Sequence, residues 1–480
     1  MAQPRQPRAM EFDDYMSAAD ALMWHIEADP ILRSTILTIW LLDRAPALER
    51  FDSKAERATS LIPRLRQRVV SDPIGLAPPR WEDDPYFDLR FHVRHHMLGP
   101  DAGDRELLDL AEPLAMQAFD KDRPLWELHL VEGLEGGRCA VMMKLHHAIS
   151  DGVGLVKMTE CLIEHGPDDD FAAEPLARVA PSAPAPSGLL DGVRRSLAHR
   201  ARTGAERFRR VSSTMAREAG SALLHPLERA REAANVLDSA GRLLSPASEP
   251  LSPIMRERSP GVRFDALHVA LDDLKRAGRK VDGTINDAFV ASVAGGLARY
   301  HAEMGAPTET LRMLMPVNVR GGEDADRAGN QFAPVRFELP VGIEGAAERV
   351  RAIGRICRAQ RDEPALPWLD EIASVLGALP PSLTMDLFGA MQKTTDFTTS
   401  NVPGPRRPVW MSGARIVGFM PFGPLAGAAV NVTAFSYDGE MQIGINADPA
   451  AVAEPGRLVA CVKRGFDEVL ALAHTEGRAA

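Results

Sequence analysis

The composition of the chain breaks abruptly at Gly166, and the break divides its 480 residues into two stretches that must each build a core. Asp168-Asp169-Asp170 and the Ala/Pro/Ser-rich run from Pro175 to Pro186 offer little apolar surface to bury and read as a linker. The segment beyond has helical spacing, with Leu190, Val193, Leu197, Ala201, Phe208, Val211 and Met215 near one face and arginines over most of the other. Pro226 breaks or kinks it, and Ser245-Pro246 to Pro253 leads into the second half. A chain of this length exceeds one ordinary core. The reading is therefore three regions: a first domain over 1–165, a Pro/Ala-rich linker and basic helical connector over 166–250, and a second domain over 251–480.

Both halves mix helices and strands, which makes the fold class α/β with mixed sheets. In the first, Met16 to Glu27 is helical, Ser34 to Leu42 a strand, Ala47 to about Ser60 an amphipathic helix stopped by Pro63, and Arg105 to Phe119 a further helix. Trp126 to Leu134 and Arg138 to His146 are strands joined by Glu135-Gly136-Gly137 as a hairpin, followed by a helix from about Val153 to Glu164. In the second, Arg263 to Leu271 is a strand, and Thr284 caps a helix running to about Glu303, with Asp287 in the capping-box position. Strands over Leu311 to Val319 and Gln331 to Leu339 precede a helix over Gly345 to Arg361. Four strands then end the chain: Phe397 to Val402, Ala414 to Phe419, Gly427 to Tyr437 and Gly439 to Ile445.

Bulk chemistry narrows the function. A net charge of −10 argues against a general nucleic-acid binder, although eleven arginines stand against six acids between Asp191 and Arg242. No stretch approaches the roughly 20 apolar residues that cross a bilayer, and the N-terminus has no signal-peptide core. Cys139, Cys161, Cys357 and Cys461 lie far apart, which speaks against a disulfide framework or a zinc ribbon and for a reducing cytoplasm. Gly152-Val153-Gly154 lacks the third glycine of a dinucleotide fingerprint, and neither a Walker A motif nor a Gly-x-Ser-x-Gly elbow is present.

The sharpest feature is Lys144-Leu145-His146-His147-Ala148-Ile149-Ser150-Asp151-Gly152. Two histidines end an apolar strand, and side-chain alternation sends them to opposite sides, so one of them reaches a given pocket. An imidazole titrates near pH 6.5 and can take a proton from a hydroxyl. Asp151 can fold back through the turn that Gly152 permits, to hold the loop or the ring. Taken by themselves such His/Asp neighbours are as readily structural as catalytic. No third ligand stands at metal-binding spacing, so a metal site is the poorer reading. His95-His96 lacks a following acid and reads as surface or structural.

His146-His147 through Asp151-Gly152 resembles the active-site signature of the acyl-CoA-dependent acyltransferases that include chloramphenicol acetyltransferase and peptide-synthetase condensation domains. Within them the chain is similar to the bacterial wax ester synthase/diacylglycerol acyltransferase family. The resemblance rests on Pro124-Leu125-Trp126-Glu127 with Leu130 to Leu134, Asn286-Asp287-Ala288, Met315-Pro316-Val317-Asn318-Val319-Arg320, Gly329-Asn330-Gln331-Phe332, and Thr399-Ser400-Asn401-Val402-Pro403-Gly404-Pro405. It runs from about Met16 to the C-terminal strands. Ser17-Ala18-Ala19-Asp20 loses the Pro-Leu centre of the family's Ser-Pro-Leu-Asp, and Asn318 stands where serine is common.

The resemblance implies two chloramphenicol-acetyltransferase-like domains with a tunnel between them, acyl-CoA as co-substrate, no other cofactor and no metal. His147 would be the general base, with His146, Asp151 and Gly152 completing the signature. Asp151 would be a structural anion, paired by hypothesis with Arg320. Asn286, Thr399, Ser400 and Asn401 are candidate oxyanion or substrate-binding residues, with helix capping as the alternative for Asn286. Trp126 reads as core, with tunnel lining as its other role. The basic connector is either a solvated spacer or an amphipathic anchor on anionic lipid, which would place a cytoplasmic protein peripherally on the inner membrane face or on lipid inclusions. Two competing readings are an acyltransferase acting on a polyketide or sugar hydroxyl and a non-catalytic lipid-surface protein.

Overall fold

The computed structural model describes residues 12–72, 77–150, 152–169, 193–203, 249–318, 332–363 and 388–474. The first half opens with helix α1 (Ala18–Ile26), capped by the Ser17 hydroxyl, and strand β1 (Thr35–Leu42). Helix α2 (Leu48–Leu61) stops one residue before Ile62-Pro63, as the missing proline N–H requires. Strands β2 (Gln67–Val70), β3 (Arg80–Asp83) and β4 (Val93–Ala102) follow, then helix α3 (Asp104–Met116), β5 (Trp126–Leu134), β6 (Cys139–His146) and helix α4 (Gly152–Thr159). The β5–β6 hairpin turns through Gly136 and Gly137, both at positive φ. Helix α4 ends earlier than the periodicity predicts: Glu164 instead forms an isolated β-bridge to Trp410.

The second half contains β7 (Arg263–Ala270), α5 (Leu271–Lys280), α6 (Ile285–Glu303), β8 (Thr310–Asn318), β9 (Phe332–Pro340) and α7 (Ala346–Arg361). The chain ends with β10 (Phe397–Pro403), β11 (Trp410–Met411), β12 (Ala414–Phe422), β13 (Val430–Tyr437), β14 (Glu440–Ala447) and α8 (Pro455–His474). The sequence reading did not assign β2, β3, β4, α5 or α8. Of the connector, residues 193–203 are helical and the rest of 170–248 lies outside the described residues.

Among the described residues the strands form two six-stranded sheets, β11-β12-β1-β6-β5-β4 and β7-β14-β13-β10-β8-β9, and the two-stranded β2-β3. Both six-stranded sheets are mixed: β4 runs parallel to β5, and β10 parallel to β13 and β8, while the other pairs are antiparallel. Strand β6 sits in the middle of its sheet with all eight residues buried, which explains its nearly unbroken apolar run. The second sheet packs its Val430, Val432 and Ile443 face against α6 and α8, forming the larger core.

The division at 251 does not follow the sheets. Residues 410–422, counted with the second domain in the sequence, cross over and extend the first sheet as β11 and β12, β12 pairing antiparallel with β1. The crossover is sealed by rings: Phe419 lies 5.7 Å from Trp40 of β1 and 4.9 Å from both Phe435 and Tyr437 of β13. The buried Tyr437 hydroxyl accepts the Val409 N–H at 3.1 Å and donates to the Ile416 carbonyl at 2.7 Å. A second seam joins α3 to β7, where Arg105 reaches the Phe264 carbonyl at 2.7 Å and the Phe264 N–H donates to Glu112 at 3.0 Å.

Candidate active site

Alternation along β6 places Met142, Lys144 and His146 on one face and Val141, Met143 and Leu145 on the other. The strand ends at His146, and residues 147–149 turn away from the sheet. His146 is 1% exposed and both ring nitrogens are engaged. Nδ1 accepts the Ala148 N–H at 3.0 Å, which leaves the proton on Nε2, and Nε2 lies 2.9 Å from Glu27 Oε1. Trp24 and Phe119 pack on the ring, with centroids 5.8 and 6.2 Å away. Of the two histidines named as catalytic candidates, His146 is thus the one enclosed by protein on every contact given for its ring. Its Nδ1 is occupied by the Ala148 N–H, and its Nε2 lies against the buried Glu27 carboxylate.

His147 is the half-buried member of the pair. Its backbone N–H donates to the Ser34 carbonyl at 2.8 Å, and the Ile149 N–H closes the turn on the His146 carbonyl at 3.0 Å. The imidazole therefore leaves a backbone pinned to β1. Helix α4, which follows the turn, packs against β10. Asp151 and Arg320 lie outside the described residues, and Gly152 opens α4.

The register of β10 separates its candidates. Thr399 pairs with Val432 and Asn401 with Ala434, both core residues, and Thr399 is 2% exposed. Ser400 pairs with Thr433, on the face that carries Phe435 toward the first sheet. Ser400 is half-buried there, so it is the member of the three that looks toward the other domain. Thr399 and Asn401 face the second core.

Asn286 belongs to a different neighbourhood. The helix start is capped by Thr284 and Asp287, whose side chains exchange hydrogen bonds with backbone N–H groups at 3.2 and 2.8 Å, so capping does not fall to Asn286. Asp287 is fully buried and meets Arg358 at 3.4 Å and Arg361 at 3.9 Å, which ties this end of α6 to α7. Trp126 is core: its Nε1 donates to the Leu65 carbonyl at 2.8 Å and its rings stack on His92 at 4.5 Å.

A buried charged chain that the sequence did not reveal lies on the His146 face of the sheet. His96 Nε2 meets His129 Nδ1 at 2.9 Å, and His129 Nε2 meets Glu127 Oε2 at 3.1 Å. Glu127 in turn lies 3.6 Å from Lys144 Nζ and 3.4 Å from Arg94. Burial alone would raise the Glu127 carboxyl, but the His129 hydrogen bond and the Lys144 and Arg94 charges outweigh it and bring it down to about 2. Burial pulls the Lys144 ammonium below the ordinary lysine range, with Glu127 opposing. Its Nζ also stands 4.4 Å over the Phe119 ring. A lysine inside an apolar strand was the available signal. Its partners, however, come from other strands.

Glu27, which the sequence marks only as the end of the first helix, closes α1 and accepts the Ser34 N–H at 2.6 Å. Burial would raise its carboxyl, yet the His146 ring and the Ser34 N–H hold it below the usual range. The four cysteines are free thiols, and burial pushes Cys139 up to about 12 and Cys161 to about 11, far from a working nucleophile.

Comparison with known proteins agrees with this architecture. Residues 16–289 match the wax ester synthase/diacylglycerol acyltransferase catalytic domain, and residues 328–469 match the WS/DGAT C-terminal domain. The chain is 37% identical over 462 residues to a putative diacylglycerol O-acyltransferase of Mycobacterium tuberculosis, covering 96% of this chain and 92% of that one. It is 29% identical over 436 residues to a probable diacylglycerol O-acyltransferase of the same species, covering 89% and 88%. The fold is shared with the wax ester synthase/diacylglycerol acyltransferase of Marinobacter aquaeolei VT8, with a TM-score of 0.62 at 21% identity over 96% of this chain and all of that one. It is shared as well with the first condensation domain of the calcium-dependent antibiotic synthetase, with a TM-score of 0.61 at 17% identity over 96% and 97%. With both family domains matched in order along one chain, this protein belongs to the wax ester synthase/diacylglycerol acyltransferase family.

Proposed function

We propose that the protein transfers a fatty acyl group from acyl-CoA to the hydroxyl of a lipid alcohol, diacylglycerol or a long-chain alcohol, with His147 as general base. The observation that carries this reading is the inequality of the two histidines. His146 is spent on Glu27 and Ala148, whereas His147 stands half-buried on a turn with its backbone fixed. The names of the relatives support the acceptor class, and a starter condensation domain of the same fold, that of rhizomide synthetase, has been solved in complex with C8-CoA.

In this mechanism the neutral His147 imidazole takes the acceptor's hydroxyl proton as its oxygen attacks the thioester carbonyl carbon. The C–O bond forms and the carbonyl π pair moves onto oxygen. Collapse of that tetrahedral intermediate breaks the C–S bond, and the imidazolium returns the proton to the departing CoA thiolate. No group on the enzyme is acylated, in keeping with the inert cysteines. The oxyanion needs a donor aimed at it, and the face of β10 that carries Ser400 supports that residue over Thr399 and Asn401.

CoA release from palmitoyl-CoA with hexadecanol or dipalmitoylglycerol tests the reading. Turnover that is abolished in His147→Ala is expected, and the better acceptor names the product. Turnover that survives the substitution removes His147 as base.

The helix over 193–203 favours a lipid surface as the place of work. Ser196 donates to Asp72 at 2.8 Å and His199 stacks on Tyr15 at 3.7 Å, which docks one side of the helix. Leu197, Arg194 and Arg200 are exposed on it. An arginine near an anionic membrane contributes about 1 kcal/mol. Among the described residues no helix is long and apolar enough to cross a membrane. Flotation with phosphatidylglycerol vesicles that is unchanged in Arg194→Glu/Arg200→Glu would refute this surface role.

A further inference from the structure

We propose that Glu27 is a positioning residue for His147, acting through both of the backbone and side-chain contacts that fix the histidine turn. The proposal rests on the reading of His147 as the base.

Glu27 Oε1 accepts the Ser34 N–H at 2.6 Å and lies 2.9 Å from His146 Nε2. Each partner is one covalent or hydrogen-bonded step from His147. The Ser34 carbonyl accepts the His147 N–H at 2.8 Å, and His146 is the preceding residue, its own Nδ1 held by the Ala148 N–H on the far side. The turn at 147 is thus gripped at its N–H, at the residue before it and at the residue after it, and two of these grips converge on Glu27. The carboxylate is 9% exposed and belongs to the end of α1, outside the sheet, so it is set in place independently of β6. Its neighbours are consistent with a fixed post: Asp29 meets Lys393 from the second half at 2.5 Å, and Lys121 stands 4.3 Å over the Trp24 ring.

Such an arrangement is a geometric device. A base must meet its proton within a few tenths of an ångström, and a misplacement of about 1 Å can cost about a hundredfold in rate. What the turn needs from Glu27 is an acceptor oxygen at the correct reach. Both contacts of Glu27 Oε1 are donor-to-oxygen contacts, one from the Ser34 N–H and one from Nε2 of His146, whose Nδ1 is taken by the Ala148 N–H.

Two conservative variants separate reach from charge. In Glu27→Gln the amide oxygen can take both contacts, whereas Glu27→Asp keeps the charge but falls short by one methylene. With palmitoyl-CoA and the preferred acceptor, we expect Glu27→Asp to lower kcat more than about tenfold and Glu27→Gln less than about threefold. KM for palmitoyl-CoA should stay within about twofold in both. A Glu27→Asp enzyme at least as fast as Glu27→Gln overturns the proposal, as does a loss that appears in KM instead of kcat. His147→Ala is run beside them. If it keeps full turnover, the base reading fails. If it is inactive while Glu27→Asp turns over at the native rate, the base stands and only the positioning role falls.

Discussion

Gly444 on β14 lies so close beneath Pro421 on β12 that an added Cβ would stand 1.8 Å from the Pro421 carbonyl oxygen. The two strands belong to different sheets, so this contact sets how near the domains approach. Gly444→Ala must push the crossover strand away from β14 and loosen the aromatic seal around Phe419. The expected loss is about 3 kcal/mol, read as a lower denaturation midpoint. A native midpoint would mean that β12 can shift without cost.

Glu164 is fully buried and meets Lys54 at 2.6 Å and Arg50 at 2.7 Å, while the Gly413 N–H donates to it at 2.9 Å. It anchors the start of the crossover hairpin to α2. Glu164→Ala leaves the Lys54 ammonium, 3% exposed, without its carboxylate, at a cost of about 3–5 kcal/mol. The double change Glu164→Leu with Lys54→Met should recover most of that stability in urea melts. Equal instability of the single and double variants would show that packing, not charge, holds the hairpin.

Glu127 gives the fold an acid limit. Its folded carboxyl is depressed to about 2 from an ordinary 4.5, so the stability it contributes is present above the higher value and is lost as pH falls toward the lower. The contribution is about 2 kcal/mol. Melting temperature measured from pH 6 down to pH 2.5 should fall less steeply in Glu127→Gln than in the native protein. Parallel curves would assign the acid limb to other carboxylates.

Ser400 and Thr399 are neighbours with opposite outlooks, and their variants should differ in kind. Ser400→Ala is expected to lower kcat by at least about tenfold with native melting behaviour. Thr399→Val, inside the second core, should change melting temperature while kcat moves less than about twofold. Reversal of that pattern would place the oxyanion donor on the other face of β10.

His147→Ala should lower kcat by about two to four powers of ten, the usual worth of a positioned base, and leave the fold intact because the ring is half-buried on a turn. His146→Ala should instead lose stability first, since it strips a partner from buried Glu27. Circular-dichroism melts beside single-turnover rates distinguish the two. Equal melting loss in both variants would contradict the division of labour between the histidines.

The amino-acid sequence by itself determined the local elements and the signature. Apolar periodicity located β1, α2, the β5–β6 hairpin and α6 with its Thr284/Asp287 cap, because these depend on neighbours within a few residues. It missed β4, whose charged, half-exposed residues mask a strand at a sheet edge. It missed α8 as well, although an amphipathic pattern was present in Pro455–His474. The His146-His147 pair at the end of an apolar strand was legible as well, and the strand does end at His146. Which of the two was covered could not be known locally, because the cover comes from Glu27, far earlier in the chain, and from Phe119 and Trp24. The crossover of residues 410–422 was equally invisible. A strand's pattern shows that it is half-buried, never which sheet will bury it, and only the packed structure joins β12 to β1.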